Sequence, residues 1–473
     1  MKAKILVVDL GVTLLKNDIL FERVCAAVYR DWRNLLLAIV AMAGGRAYVK
    51  RQLAGASLID PATLPYNDKV IKFIKDWREM GGRTALVDTS NHGLAGSIAA
   101  HLGIFDETHV PEETLNLKGE EKGVLLEARF GNKGFAYMGN ARADLPIWKR
   151  SSTAITVNAS ASLRREVGTA CEKVEHLSTH GNFLESYLKA LRPHQWLKNF
   201  LAFLPMLAAH QFDRKTLLLS LGAFISFCLI ASSVYVLNDL LDLPADRIHP
   251  RKKNRPFASG SIPISQGMWM LVGLFILGGL TANFIGPDFL LTMTAYALVT
   301  TAYSLHLKRR MVIDIFVLAG LYTSRIVAGG VATDIRLSVW LLAFAIFFFL
   351  SLASVKRQAE LIDSAERGSL QPSGRGYIVG DLPIISMIAI AAGYMSVLVL
   401  ALYINSATVT ELYKRPQALW GVCAMLLYWI TRTIMVAHRG NMNDDPLIYA
   451  AKDPVSLTCL LISFGLVFLG TTL

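Results

Sequence analysis

Cysteine is scarce and badly placed for chemistry. The five in 473 residues (Cys25, Cys171, Cys228, Cys423, Cys459) are scattered with no CxxC pair, which excludes a disulfide framework and a cysteine-rich zinc site. Acid is in deficit, with 36 Asp and Glu against 48 Lys and Arg, for a net charge of +12. Long apolar runs are missing before about Gly181. Lys2 and Lys4 precede only the short run Ile5–Val8, so no signal peptide is expected.

From about Leu197 to Leu473 the composition reverses. Apolar runs there are long enough to cross a bilayer, and they lift the chain to 53% hydrophobic. Basic residues accumulate in the cytoplasmic loops of membrane proteins, so the positive charge does not argue for nucleic acid. The expected architecture has two domains: a soluble α/β domain over 1–160 and an all-α polytopic membrane domain over 191–473. Residues 161–190 are expected to be a linker with an interfacial helix.

In the first domain, strand-like runs at Ile5–Asp9, Thr84–Asp88, Gly134–Met138 and Thr153–Val157 alternate with helical patterns such as Asn91–Leu102 and Glu120–Phe130. That alternation predicts a parallel sheet covered on both faces, with ligands bound beyond the carboxyl ends of the strands. Asp9 and Thr13, then Asp88, Thr89 and Ser90, then Asn140 and Asp144 stand at those ends, with Lys118 in a loop between. The pattern resembles the haloacid-dehalogenase-like (HAD) phosphatases over about residues 3–160. The resemblance implies a Rossmannoid fold with a small helical cap over 15–80. It maps the family nucleophile to Asp9 and the supporting residues to Thr13, Thr89, Lys118, Asn140 and Asp144. Gly11 stands where the family has its general acid, and Asn140 where it has an acid. A degenerate domain used for docking, regulation or stability is therefore expected rather than a phosphatase.

Nine spans are expected in the second domain, at about 197–211, 215–238, 266–285, 288–305, 312–330, 337–355, 382–403, 417–437 and 454–472. Basic loops at Arg247–Arg255, Lys308–Arg310, Lys356–Arg375 and around Arg439 would be cytoplasmic, together with the N-terminal domain. Within this frame one stretch stands out. Asn238, Asp239, Asp242 and Asp246 follow an apolar run and meet Arg247, Lys253 and Arg255. Clustered carboxylates need a cation, and oxygen ligands suit Mg²⁺ with substrate phosphates. A second set is Tyr303, Lys308, Asp314, Tyr322 and Arg325, with Arg325 inside an apolar span and on the same helical face as Asp314. A third is Lys356, Arg357 and Glu360, the last two able to pair at i, i+3. Charged loops beside spans are often merely topological, and that reading suffices for Lys308–Arg310.

The NDxxDxxxD motif at Asn238, Asp239, Asp242 and Asp246 resembles the UbiA superfamily of intramembrane prenyltransferases. Within it, the decaprenyl-phosphate phosphoribosyltransferases are the most similar branch. The likeness rests on Leu191–Asn199, Asp246–Pro250, Lys253–Pro256, Tyr303-Ser304, Arg325 with Gly329-Gly330, and Lys356–Leu361. The resemblance implies Mg²⁺-dependent transfer of 5-phosphoribose from phosphoribosyl diphosphate to a polyprenyl phosphate, at the cytoplasmic face of the inner membrane. It implies Asp239, Asp242, Asp246 and Asn238 as metal ligands, with Lys356 catalytic. Arg192, Lys198, Arg247, Lys253, Arg255, Tyr303, Lys308, Asp314, Tyr322, Arg325, Arg357 and Glu360 would bind substrate. Arabinose-containing glycans are the branch's usual destination, and homo-oligomerisation is left open. The competing readings are prenyl transfer to an aromatic acceptor, a polyprenyl-phosphate carrier with a regulatory domain, and a bifunctional enzyme whose N-terminal domain removes the 5-phosphate.

Overall fold

The computed structural model describes residues 5–43, 45, 48–49, 52–53, 59–88, 92–109, 119–179, 183–371, 375–406, 409, 413–442 and 445–472. The chain divides into two compact units. One is Met1–Ala190 with Val236–Trp269, and the other is Leu191–Tyr235 with Met270–Leu473.

Among the described residues, the first unit contains six strands, β1 (Ile5–Asp9), β2 (Arg83–Val87), β3 (Glu107–His109), β4 (Phe135–Gly139), β5 (Thr153–Val157) and β6 (Val174–Leu177), in one sheet of order β3-β2-β1-β4-β5-β6, parallel at every pairing. Strand β1 (Ile5–Asp9) lies between β2 (Arg83–Val87) and β4 (Phe135–Gly139), with Val7 opposite Ala85 and Tyr137. A central parallel strand is buried on both faces, which is why Ile5-Leu6-Val7-Val8 is apolar without alternation. Leu6, Val8, Leu86 and Met138 pack on one side with Val70, Ile74 and Ile98. Val7, Val87 and Tyr137 pack on the other with Leu126, Trp148 and Val167.

Two strands depart from expectation. β3 (Glu107–His109) has only three residues, and β6 (Val174–Leu177) is a half-exposed edge strand, so neither carries an apolar run. The segment expected as a linker over 161–190 thus carries the helix Ala161–Ala170, the strand β6 and the helix Phe183–Leu191. Part of the 15–80 segment, expected as a helical cap, packs on the sheet. Asp68–Glu79 buries Val70 and Ile74 against the sheet, one turn apart on one face, and so belongs to its covering layer. Among the described residues before it, Ile19–Arg30 and Leu35–Met42 pack on each other, with Ile19 reaching the same core.

Among the described residues, seven helices are long and apolar enough to cross a membrane: Arg214–Leu241, Ile264–Ile285, Ile313–Thr333, Val339–Glu366, Val379–Ile404, Pro416–His438 and Pro454–Thr471. Their outward side chains are large and apolar, Phe284 and Leu461 among them, as lipid contact requires. Nine are expected from the sequence, and two differ. Pro287–Leu305 is helical, but Asp288 and four threonines dilute its apolar character. Residues 193–208 form a 3₁₀ run (Pro193–Phe203) and a short helix (Leu204–Ala208), with Pro193 and Pro205 each removing a backbone donor. This irregular segment presses closely on the helix Ile313–Thr333. A Cβ on Gly329 would overlap the Ala202 carbonyl oxygen, so only glycine allows the approach.

Candidate active site

The first cluster forms where the helix Arg214–Leu241 ends. Pro244 interrupts the backbone ladder, and a second short helix, Leu243–Ile248, begins with Asp242 at its N-cap. This break returns Asp246 towards Asp239. Arg255 Nη1 donates to Asp239 Oδ1 at 3.0 Å and to Asp246 Oδ2 at 2.6 Å. Both carboxylates are buried. Burial pushes the Asp246 carboxyl above its usual range, Arg255 pulls it down, and neighbouring Asp239 adds to the rise. Asp242 is half-buried and contributes to the field on Arg255, and Asn238 is half-buried one residue before Asp239. Lys253 is exposed. Arg247 turns away from this cluster, and its guanidinium makes a bidentate pair with Glu22, 2.7 Å on each arm.

Among the described residues, no three His, Cys, Asp or Glu side chains converge as a ready-made metal site. Two carboxylates do converge, on the single nitrogen of Arg255. Mg²⁺ commonly takes one or two carboxylates and completes its shell with phosphate and water. The Asp239–Asp246 pair fits Mg²⁺ in that manner, and does not fit an all-protein cage.

The second cluster has the opposite balance. Asp445 Oδ2 accepts from Lys198 Nζ (2.7 Å), Lys356 Nζ (3.0 Å) and Tyr322 Oη (2.8 Å). Burial pushes the Asp445 carboxyl up, but the two ammonium groups outweigh it and hold it well below the usual range. Asp445 is a residue that sequence reasoning misses. Its only signal is an acidic pair before Pro446, in a loop noted for Arg439.

The third cluster is balanced. Asp314, fully buried, accepts from Tyr303 Oη (2.7 Å) and pairs with Arg357 Nε (2.6 Å) and Arg375 Nη1 (3.3 Å). Arg357 also pairs with Glu360, the expected i, i+3 contact, and Arg375 Nε lies 3.4 Å from Glu360. Arg375, seen in the sequence only as loop charge, is thus part of it. Arg325 does not join Asp314, although the two share a helical face. It donates to Asn199 Oδ1 (2.9 Å), Tyr296 Oη (3.0 Å) and the Leu321 carbonyl, with the rings of Phe227, Tyr296 and Tyr322 around it. Arg192 stacks over Tyr235 at 5.5 Å, and Lys308 is buried.

At the carboxyl end of β1, Asp9 pairs with Lys122 Nζ at 2.6 Å. Asp144 accepts from the Asn140 and Ala141 amides (3.1 and 3.0 Å) and from Tyr137 Oη (3.2 Å), and Thr13 donates to Asn140 Oδ1 at 3.4 Å. Burial, and then repulsion from Asp9, raise the Asp144 carboxyl. Lys122 is the second lysine of KGEEK, four residues after Lys118 in the sequence. Lys118 and Thr89 lie outside the described residues.

The seven apolar helices mark an integral membrane protein. Residues 199–449, more than half of the chain, match the UbiA prenyltransferase family, and the chain belongs to it. A Sinorhizobium fredii chain described as the uncharacterized protein y4nM is 34% identical over 454 residues, 95% of this chain and 88% of that one. The nodulation protein NoeC of Azorhizobium caulinodans is 39% identical over 288 residues, 60% of this chain and 93% of that one. A decaprenyl-phosphate phosphoribosyltransferase from Mycolicibacterium smegmatis is 39% identical over 189 residues, 38% of this chain and 58% of that one.

Proposed function

We propose that this chain transfers 5-phosphoribose from phosphoribosyl diphosphate to a polyprenyl phosphate at the cytoplasmic face of the inner membrane, releasing diphosphate. The observation that carries the reading is the pair of unequal clusters. Asp239 and Asp246 both pair with Arg255, and Lys198 and Lys356 both pair with Asp445. Clustered carboxylates attract a cation and its diphosphate, and clustered lysines attract an anion. Similarity to decaprenyl-phosphate phosphoribosyltransferases supports the same assignment.

Asp239 and Asp246, with Asp242 and Asn238 beside them, would hold Mg²⁺ through oxygen. When bound, Mg²⁺ neutralises the charge that builds on the departing diphosphate. Arg255 and exposed Lys253 would add positive charge to that leaving group. Lys198 and Lys356 would hold the lipid phosphate. Its anionic oxygen attacks C1 of the ribose without a general base, so the chief requirement is to position two anions against their repulsion. The Asp314–Arg357–Glu360–Arg375 network and the bonds around Arg325 would set the helices that carry these lysines.

We read the N-terminal domain as HAD-like and not catalytic. A Cβ at Gly11 would lie 3.1 Å from Asp9 Oδ2, so the position of the family acid adjoins Asp9 but carries no side chain. The deciding assay uses the purified chain, Mg²⁺, radiolabelled phosphoribosyl diphosphate and a polyprenyl phosphate. Labelled lipid is expected. Label transferred to no lipid phosphate would sink the reading, and a labelled lipid lacking its 5-phosphate would restore a phosphatase to the N-terminal domain.

A further inference from the structure

The carboxylate loop does not stand alone. Glu22, in the first turn of the helix Ile19–Arg30, is matched to Arg247, the residue next to Asp246. The side chains are 3% and 7% exposed, so each is the other's answer to the cost of a buried charge. Asn17 Nδ2 donates to Glu22 Oε1 at 2.8 Å and orients it. The Ile264 amide donates to Asn17 Oδ1 at 3.4 Å, and Lys16 Nζ donates to the Ser259 carbonyl at 3.4 Å. Gly260 has φ +70° and packs so closely that a Cβ there would lie 2.7 Å from Lys16 Cβ. Arg247 Nε completes the seam by donating to the Ala258 carbonyl at 3.2 Å.

We propose that the N-terminal domain is the dock of the carboxylate loop, with Glu22 as a positioning residue that acts through Arg247. This rests on the function proposed above. Pinned at both ends of its guanidinium, Arg247 fixes the backbone next to Asp246 and so aims the Asp246 carboxylate at the point it shares with Asp239. The same pairing withholds Arg247 from those carboxylates. Released, it would be a second base competing with the metal for Asp239 and Asp246.

The test uses the full chain in phospholipid nanodiscs. Trypsin cleavage at Arg251, Lys252 and Lys253, which lie in the docked loop, is followed by mass spectrometry. Glu22→Ala and the isosteric Glu22→Gln are expected to be cut there roughly tenfold faster than wild type. The reversed pair, Glu22→Arg with Arg247→Glu, is expected to recover most of the protection. Both Glu22 variants are also expected to raise KM for phosphoribosyl diphosphate about tenfold with little change in kcat. Unchanged cleavage in Glu22→Ala and Glu22→Gln overturns the dock. If Glu22→Ala fails to fold, Glu22→Gln decides. Faster cleavage with unchanged KM overturns the positioning role. Absence of transfer in the wild type would sink the proposed reaction, while the cleavage result still decides whether the dock exists.

Discussion

The loop at Asp239–Arg255 and the cluster at Asp445 are built from the same groups in inverted ratio. In the first, one guanidinium neutralises two buried carboxylates; in the second, one buried carboxylate neutralises two ammonium groups. The Asp314–Arg357–Glu360–Arg375 network instead joins two acids to two bases, although Asp314 Oδ2 and Arg357 Nε, 2.6 Å apart, do not meet in hydrogen-bonding geometry. In the function proposed above, the two uneven clusters take substrates and the even network fastens helices.

The largest effect should come from emptying the acidic surplus. Asp239→Asn is expected to lower lipid-dependent transfer by roughly 10²–10³-fold, with normal insertion into membranes, as measured by label incorporation over a range of Mg²⁺. Wild-type turnover would remove the metal assignment. Next is the balanced network. Arg357→Ala leaves buried Asp314 without its principal base, and should cost about 3–5 kcal/mol of stability in thermal unfolding. A variant that unfolds normally but no longer binds substrate would erase the distinction between the two kinds of cluster.

Reducing the basic surplus should act more gently and selectively. Lys356→Ala is expected to raise KM for the polyprenyl phosphate roughly ten- to a hundredfold, because a charge-assisted bond is lost, and to leave KM for phosphoribosyl diphosphate almost unchanged. An equal rise for both substrates would contradict the division of labour. A smaller effect comes from a plain ion pair, Asp453 with Arg432. Burial favours the neutral acid, yet bonds from Arg432 and Ser456 bring its pKa to about 2. A lowered folded pKa stabilises above the unfolded value. The contribution is therefore complete above about pH 4 and fades as pH falls towards 2. Thermal unfolding of Asp453→Asn should lack that part of the acid slope. Smallest of all, Asp9→Asn should leave transfer unchanged in the label assay; loss of lipid product would make the N-terminal site catalytic after all.

How far these clusters could be read from the chain depended on distance along it. Asp239 and Asp246 were legible together with Arg255, because all lie within 17 consecutive residues beside an apolar run. Asp445 was not, since Lys198 is 247 residues away and Lys356 is 89. No local pattern joins groups across such separations. Arg325 shows the converse, partners that the sequence could not supply. Its isolation within an apolar span suggested substrate, but Asn199 and Tyr296 satisfy it from other elements. The parallel sheet was legible in its buried central strands and invisible at its edges, where β6 alternates Val, Glu, His and Leu. Periodicity reports burial, and an edge strand has little of it.

The bidentate contact between Glu22 and Arg247 also bears on how such a chain could have arisen. Joining a soluble module to a membrane enzyme is at first reversible, since either part can be lost without harm to the other. Once a buried acid on one side is matched to a buried base on the other, a shortened descendant inherits Arg247 without its partner. The exchange of one ion pair between ancestral partners would turn an optional appendage into an inseparable one, and natural variation at position 22 should follow variation at position 247.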